Sequence, residues 1–161
     1  MSNVRPESME RITAETLVTE IRTVLQNARN NVARQVNSEL LAAYWNIGRI
    51  ICEHEQTVPD RADYGKQTLK ELSRALTKEF GKGFSVSNLQ FMRRFYQDYP
   101  IQQTLSVKLS WSHYCELLTI SDLEKRSFYE KEAVTASWSV RELQRQIESS
   151  LFERLLLSRR E

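Results

Sequence analysis

Apolar residues recur at three- and four-residue steps along most of the chain, which is the spacing of amphipathic helices. Gly48 lies inside one of the most apolar stretches. Glycine costs about 1 kcal/mol in a helix relative to alanine, and a close contact with another helix is one reason to tolerate it here. The pattern predicts a long N-terminal helix or a helical hairpin over residues 9–56. Two stripes, with little or no break between them, carry this prediction: Leu17, Ile21, Val24, Ala28, Val32 and Val36, and then Leu40, Leu41, Tyr44, Ile47, Ile50 and Ile51.

Two further helices are predicted on either side of a short glycine turn. Pro59 interrupts the first pattern, because proline cannot continue a helix, and Gly81 and Gly83 end the next helix. Ser87 is the expected N-cap of the helix after the turn, with Gln90 as its partner in a capping box. The predicted inward residues are Leu69, Leu72, Leu76 and Phe80 before the turn, and Leu89, Met92 and Phe95 or Tyr96 after it.

The period changes to two between residues 104 and 111. Leu105, Val107, Leu109 and Trp111 alternate there with polar residues. This alternation predicts either a short β element, such as the wing of a winged helix, or an extended linker whose apolar side chains anchor the next helix.

Two more capping boxes predict the C-terminal helices. Ser121 with Glu124 opens one, and Ser139 with Glu142 opens another, which continues to Leu157. The leucine-rich tail leads us to expect a further domain or a partner beyond it. We therefore expect an all-α fold of about seven helices, with or without one short β wing. Residues 62–157 are expected to form a helix-turn-helix-like or winged-helix-like region and the C-terminal helices, in one compact unit with residues 9–56.

Positive charge is concentrated in one segment of the chain. The chain has a net charge of only +2, whereas residues 61–94 hold eight Lys/Arg against three Asp/Glu. A basic helix-turn-helix pattern favours binding to DNA. Arg can pair with guanine, Asn or Gln with adenine, and Ser with phosphate. The predicted contact residues are Lys66, Lys70, Arg74 and Lys78 at four-residue steps, Lys82 in the turn, and Ser85, Ser87, Asn88, Gln90, Arg93 and Arg94 on the exposed side of the second helix.

Catalytic and metal-binding patterns are weak. Cys52 and His54, like His113 and Cys115, do not have the spacing of a zinc module or of a facing nucleophile and base. The glycine turn is too short for a Walker motif, and no pair of nuclease carboxylates is apparent. We therefore expect no catalytic residues, metal or cofactor, and we expect both cysteines to be small buried hydrophobes. The N-terminus lacks a secretory signal and no apolar run could cross a membrane, so a cytoplasmic location is the default.

A set of short motifs resembles the YhcG-type family, a bacterial family described as a domain of unknown function. The resemblance extends over roughly Leu17 to Leu155. Members usually continue into a C-terminal PD-(D/E)XK nuclease domain, which has no counterpart here. The resemblance implies a DNA-targeting module that does not cut DNA by itself. The motifs are Tyr44-Trp45-Asn46-Ile47-Gly48, Tyr64-Gly65-Lys66, Glu79-Phe80-Gly81-Lys82-Gly83-Phe84-Ser85, Asn88-Leu89, Met92-Arg93, Leu109-Ser110-Trp111-Ser112-His113-Tyr114 and Trp138-Ser139-Val140-Arg141-Glu142-Leu143.

Two other functions remain open at this level. The chain could be an assembly module, in which the N-terminal helix and the helix at Ser139–Leu157 pair with copies of themselves or with another protein. It could also be an enzyme with a site around His113. His113 and Arg141 could touch nucleic acid. Alternatively, Trp111 and Trp138 fill the core while Ser110 or Ser112, together with Ser139, cap helices.

Overall fold

Seven α-helices make up the described part of the chain. The computed structural model describes the backbone of residues 7–58 and 61–160, and the side chains of residues 14–58 and 65–160. No strand occurs in these ranges, so the prediction of an all-α fold is confirmed. Pro59 and Asp60 lie outside the described residues. The helices are α1 (Glu7–Gln56), α2 (Arg61–Phe80), α3 (Val86–Asp98), α4 (Trp111–Leu118), α5 (Leu123–Thr135), α6 (Val140–Glu148) and α7 (Leu151–Ser158).

The chain divides into two units, one up to Val36 and one from Asn37 onward. The two apolar stripes at the N-terminus belong to a single helix, α1, rather than to a hairpin. In the first unit, the apolar side chains of α1 are exposed. In the second unit, the last twenty residues of α1 pack with the remaining helices.

Helix α3 contributes side chains to both buried clusters of the second unit. Leu89 and Met92 are fully buried in a cluster with Ile51 of α1 and Leu69 of α2. One turn further along, Phe95 belongs to a larger cluster that continues through α4, α5 and α6. The predicted inward residues Leu89, Met92 and Phe95 are therefore confirmed. Because α3 contributes to both clusters, it connects the basic helix α2 to the rest of the unit.

Helices α1 and α3 approach each other closely at Gly48. A Cβ atom built on Gly48 would lie 2.0 Å from the carbonyl oxygen of Met92 and 3.1 Å from Cβ of Tyr96. Real Cβ atoms do not approach a backbone oxygen this closely, so only glycine fits. The predicted helix contact at this glycine is confirmed. Nearby, Trp45 Nε1 donates a hydrogen bond to the carbonyl of Tyr99 at 2.7 Å, which fixes the end of α3 against α1.

A buried arginine joins three of the helices. Arg126 on α5 donates to the carbonyls of Leu117 and Ile120 at the end of α4, and its Nη1 pairs with Asp98 of α3 at 2.8 Å. The guanidinium thereby gives the carbonyl of Ile120, just after α4, a donor, and adds a second donor to the carbonyl of Leu117, which also accepts from the amide of Ile120. Only 5% of Arg126 is exposed, so the carboxylate of Asp98 and the two carbonyls take the place of water around its charge.

Two of the predicted helix caps are wrong by one or two residues. Ser85, not Ser87, caps α3, because Ser85 has extended backbone dihedrals and its Oγ accepts from the amide of Asn88. Asp122, not Ser121, caps α5 by accepting from the amide of Lys125. Ser139 caps α6 as predicted, but the carboxylate of Glu142 bonds to Arg145 and Gln146.

The region with a period of two is a linker and not a wing. A short 3-10 helix, Gln102–Thr104, is followed by turns up to Ser110. Leu109 is buried and Leu105 packs against the larger cluster, while Val107 is exposed. The alternation therefore marks side chains that anchor the linker to the core, which was the second of the two interpretations. Asn37 supports this path through a 2.8 Å hydrogen bond from its Nδ2 to the carbonyl of Leu109.

Two further expectations need correction. The segment from Ser139 to Leu157 is not one helix, since it breaks between α6 and α7 at Ser150, which has a positive φ of 56°. Phe80, predicted to point inward, is 63% exposed and contacts the ring of Phe84. It lies in the last turn of α2, immediately before the glycine turn, where the core no longer covers the helix.

We expect Gly48→Ala to lower the free energy of unfolding by about 1–3 kcal/mol, because the added methyl group forces α1 and α3 apart. Chemical denaturation of the purified chain measures this. Gly65→Ala is the matched control, because a Cβ there meets only Glu55 Oε1, at 3.7 Å. Alanine in α2 should leave stability unchanged or raise it by up to about 1 kcal/mol. Equal effects of the two substitutions would contradict the close contact.

Candidate nucleic-acid interface

Four cations on α2 and one in the following turn form the surface that we call the basic face: Lys66, Lys70, Arg74, Lys78 and Lys82. All five side chains are exposed. Among the side chains that the structure describes, none of the five lies within ion-pairing distance of a carboxylate. Glu71, which could have neutralised a neighbour, accepts instead from Gln67. None of these five positive charges is therefore paired directly with a described carboxylate.

An open groove follows the basic face to the beginning of α3. Its volume is about 550 Å³, and it is lined by Lys70, Ser73, Arg74, Thr77, Lys78 and Val86. Ser73 and Thr77 were not among the predicted contact residues. They lie three residues after Lys70 and three residues after Arg74, respectively, so helical spacing from these cations was the signal that could have found them. Hydroxyl groups between cations add hydrogen-bond donors to the groove.

The glycine turn presents Lys82 and Ser85 at the same end of α3. Gly81 and Gly83 have φ angles of 84° and 108°, in the left-handed region that glycine tolerates best. The chain passes from α2 to α3 through five residues, and Lys82 is exposed among them. The Oγ of Ser85 is already engaged as the N-cap.

Helix α3 offers only a narrow exposed surface. Ser87, Gln90 and Gln97 are exposed, and Arg94 is half-buried. These four residues lie at steps of three and four, which places them along one line of the helix. The other sides of α3 face α1, α2 and α4. The helix predicted to recognise bases is therefore mainly a core helix.

Two predicted contact residues are occupied within the fold. The Asn88 amide accepts from Trp111 Nε1 at 3.0 Å and donates to the carbonyl of Gly83. Arg93 Nε donates to Glu55 Oε2 at 2.7 Å, which joins α3 to the end of α1. The expectation that both side chains are exposed is wrong, because each is half-buried with a partner distant in sequence.

His113 has a structural environment. Its Nδ1 accepts from the backbone amide of Ser110, and its Nε2 lies 2.7 Å from the carbonyl of Trp138. Because an amide only donates and a carbonyl only accepts, the proton is on Nε2. Ser110 and His113 form a reciprocal capping box at the start of α4. Both ring nitrogens are hydrogen-bonded, and the residue is 9% exposed. The imidazole thereby connects α4 to Trp138, the residue before the N-cap of α6.

The cysteines lack the environment of a nucleophile. Burial raises the pKa of the Cys115 thiol to about 12, and it also raises the pKa of Cys52. Both are therefore thiols at neutral pH, whereas reactive cysteines have a lowered pKa. Both are free; Cys52 is buried as predicted, and Cys115 is only partly buried. Within the described ranges, no three metal-binding side chains converge, and no helix has both the length and the apolar character to cross a bilayer.

We expect Asn88→Ala to destabilise the fold by about 1–3 kcal/mol, because it leaves the indole N–H of Trp111 and the carbonyl of Gly83 without their partner. Thermal or chemical unfolding measures the loss. Ser87→Ala, at an exposed neighbouring position, should change stability by less than about 0.5 kcal/mol. If Asn88→Ala had the same free energy of unfolding as the wild type, the hydrogen bonds of this amide would not stabilise the fold and our interpretation would be wrong.

The fold and the exposed cations describe an all-α domain with a basic helix face. The chain belongs to the DUF1016 N-terminal domain family, whose model matches residues 20–154. It is 38% identical over 167 aligned residues to a protein of Escherichia coli (strain K12) named "Putative nuclease YhcG", and the match covers 84% of this chain. The chain spans less than half of that relative, 44% of its length. No solved structure matches the chain at a significant level.

Proposed function

We propose that this chain is the DNA-targeting module of a nuclease-family protein and that it holds DNA on the basic face. The observation that carries the proposal is the row of exposed cations on α2 and in the turn, none of them paired with a described carboxylate. Surface cations on ordinary helices are commonly balanced by neighbouring acids. A row without such balance is a favourable site for a polyanion.

The dimensions of the basic face suit a DNA backbone. From Lys66 to Lys78 the helix rises about 18 Å, at roughly 1.5 Å per residue. One DNA strand places a phosphate about every 3.4 Å along the axis, so about five phosphates lie within this length. The groove beside Lys70 and Lys78 would receive the sugar-phosphate backbone, and Ser73 and Thr77 would donate to its oxygens.

Contacts to bases are expected to be few. Ser87, Gln90 and Arg94 are the predicted contact residues within α3 that retain exposed surface and lack a distant partner. Asn88 and Arg93, which would otherwise read adenine and guanine, have partners inside the fold. Phosphate contacts position a protein, whereas base contacts specify a sequence. The module should therefore supply affinity and depend only weakly on DNA sequence.

The comparisons support separate roles for DNA binding and DNA cleavage in different parts of such proteins. The E. coli relative bears the name "Putative nuclease YhcG", and this chain corresponds to less than half of its length. We assign DNA cleavage to the part of such proteins that this chain does not contain, and we propose that this chain is non-catalytic and acts in the cytoplasm, where its DNA substrate is found.

Fluorescence anisotropy with labelled duplex and branched DNA tests the proposal. Wild-type binding should weaken steeply with salt, by a slope of about −0.9 for each phosphate that is neutralised. The triple substitution Lys70→Gln/Arg74→Gln/Lys78→Gln should reduce this slope by about three and abolish measurable binding at moderate salt. Glutamine keeps good helix propensity, so circular dichroism and unfolding should be unchanged.

The control removes three positive charges outside the basic face. Lys108, Lys131 and Arg159 are exposed, and their joint replacement by glutamine changes the net charge by the same amount. It should leave most of the affinity intact. Two outcomes would overturn the proposal: no retention of DNA by the wild type at low salt, or an equal loss of binding in both triple variants.

A further inference from the structure

The last turn of α2 carries a phenylalanine that the core does not cover. Phe80 is 63% exposed, and its ring centroid lies 6.1 Å from that of Phe84. Phe84 is only partly exposed, because it packs against the cluster around Leu89 and Met92. One aromatic ring is thus held by the core, while the ring beside it remains largely in water. The pair presents an aromatic surface at the end of the basic helix.

This aromatic surface lies at the end of the groove that follows the basic face. Ser73 and Thr77 line the groove. Phe80 follows these two residues at steps of four and three, which places the three side chains along one side of α2. The nearest acid in the sequence, Glu79, lies two residues after Thr77 and therefore on a different side of the helix. A strand that follows the groove would reach the ring of Phe80.

The glycine turn leaves open space next to this ring. A Cβ atom built on Gly81 or on Gly83 would have no atom within 4 Å outside the neighbouring residues. Lys82, between the two glycines, is exposed and takes part in none of the described ion pairs. A planar group that approaches the turn therefore meets little obstruction, and a phosphate attached to that group would lie near a free ammonium group.

An unpaired nucleobase has the chemistry that this surface fits. Every base has a π face that stacks on an aromatic side chain, and the phosphates of its strand are attracted by nearby cations. Inside an intact duplex the faces of the bases are covered by one another. Only an unpaired base, at a single-stranded end, a gap or a fork, offers its face to a protein ring. Such stacking tolerates any base, in agreement with the weak dependence on sequence expected above.

We propose that Phe80 stacks on an unpaired base of a DNA strand whose phosphates lie on the basic face. The module would then prefer DNA in which a duplex adjoins a single-stranded segment. This inference rests on the proposed DNA binding and names the form of DNA that binds best. It also assigns a contact to Phe80, which the sequence placed in the core.

Fluorescence anisotropy with three labelled DNAs tests the proposal. The first is a blunt duplex, and the second is the same duplex with an unpaired tail of about six nucleotides at one end. The third has a tail of abasic sites, which keeps the phosphates and removes the bases. Phe80→Ala should weaken binding to the tailed duplex by about fivefold or more and leave binding to the blunt and abasic DNAs unchanged. The wild type should prefer the tailed duplex to the abasic one by a similar factor.

Two further variants separate stacking from a general loss of apolar surface. Leu123→Ala removes a side chain of α5 that is 69% exposed, and it should bind all three DNAs as the wild type does. Phe80→Trp should keep the preference, because indole also stacks on bases. Its added tryptophan fluorescence should be quenched by the tailed duplex and not by the abasic one. Circular dichroism and the unfolding midpoint verify that each variant is folded.

The outcomes distinguish this inference from the proposed function on which it rests. A wild type that binds none of the DNAs would overturn both. If the wild type binds and Phe80→Ala changes no affinity, or lowers the affinity for all three DNAs equally, only the stacking role fails. It also fails if Phe80→Ala lowers the mass of the protein in solution without any effect on DNA, since the ring would then be a contact between proteins.

Discussion

The contact of Gly48 with the backbone of Met92 is the constraint on which the second unit depends. A helix pair can approach this closely only where one partner lacks a side chain, and here the carbonyl of Met92 occupies the position of the missing Cβ. The approach brings Trp45 to the end of α3 and Glu55 to Arg93. Once α3 is held there, Leu89 and Phe95 point into two clusters that the other helices complete.

This packing determines which residues remain available to a ligand. A recognition helix in a typical helix-turn-helix protein projects a broad polar face. Helix α3 instead uses most of its circumference for contacts within the fold and retains one narrow exposed line. The exposed positive charge lies on the preceding helix and in the turn. The surface of this domain therefore suits contacts with the backbone of a nucleic acid better than contacts with the edges of its bases.

Features with a local cause were predictable from the sequence. Gly48 stood out because glycine is costly inside an apolar helix, and Leu89 and Met92 because helical spacing identifies an inward face. The N-cap at Ser139 depends only on neighbouring residues. The caps predicted at Ser87 and Ser121 were wrong because another residue that can cap a helix lies close to each: Ser85 and Asp122, respectively. The backbone geometry decides which of the two residues caps the helix.

Features with distant partners were not predictable. Arg93 pairs with Glu55, which is 38 residues away, and Asn88 bonds to Trp111, which is 23 residues away. A sequence pattern cannot show such pairs, so both residues looked like free surface groups. The alternation from Leu105 to Trp111 left two interpretations open for another reason. An extended segment that lies along a core also buries alternate residues, and without a neighbouring strand it forms no sheet.

The most direct test of the account follows the backbone amide signals of the isotope-labelled chain by nuclear magnetic resonance during titration with duplex DNA. The account predicts that the shifts concentrate at Lys70, Arg74, Lys78, Lys82 and Gln90. Signals from α5 and α6 should stay in place. Shifts that concentrate on α5 or α6, or no shifts at low salt, would contradict it.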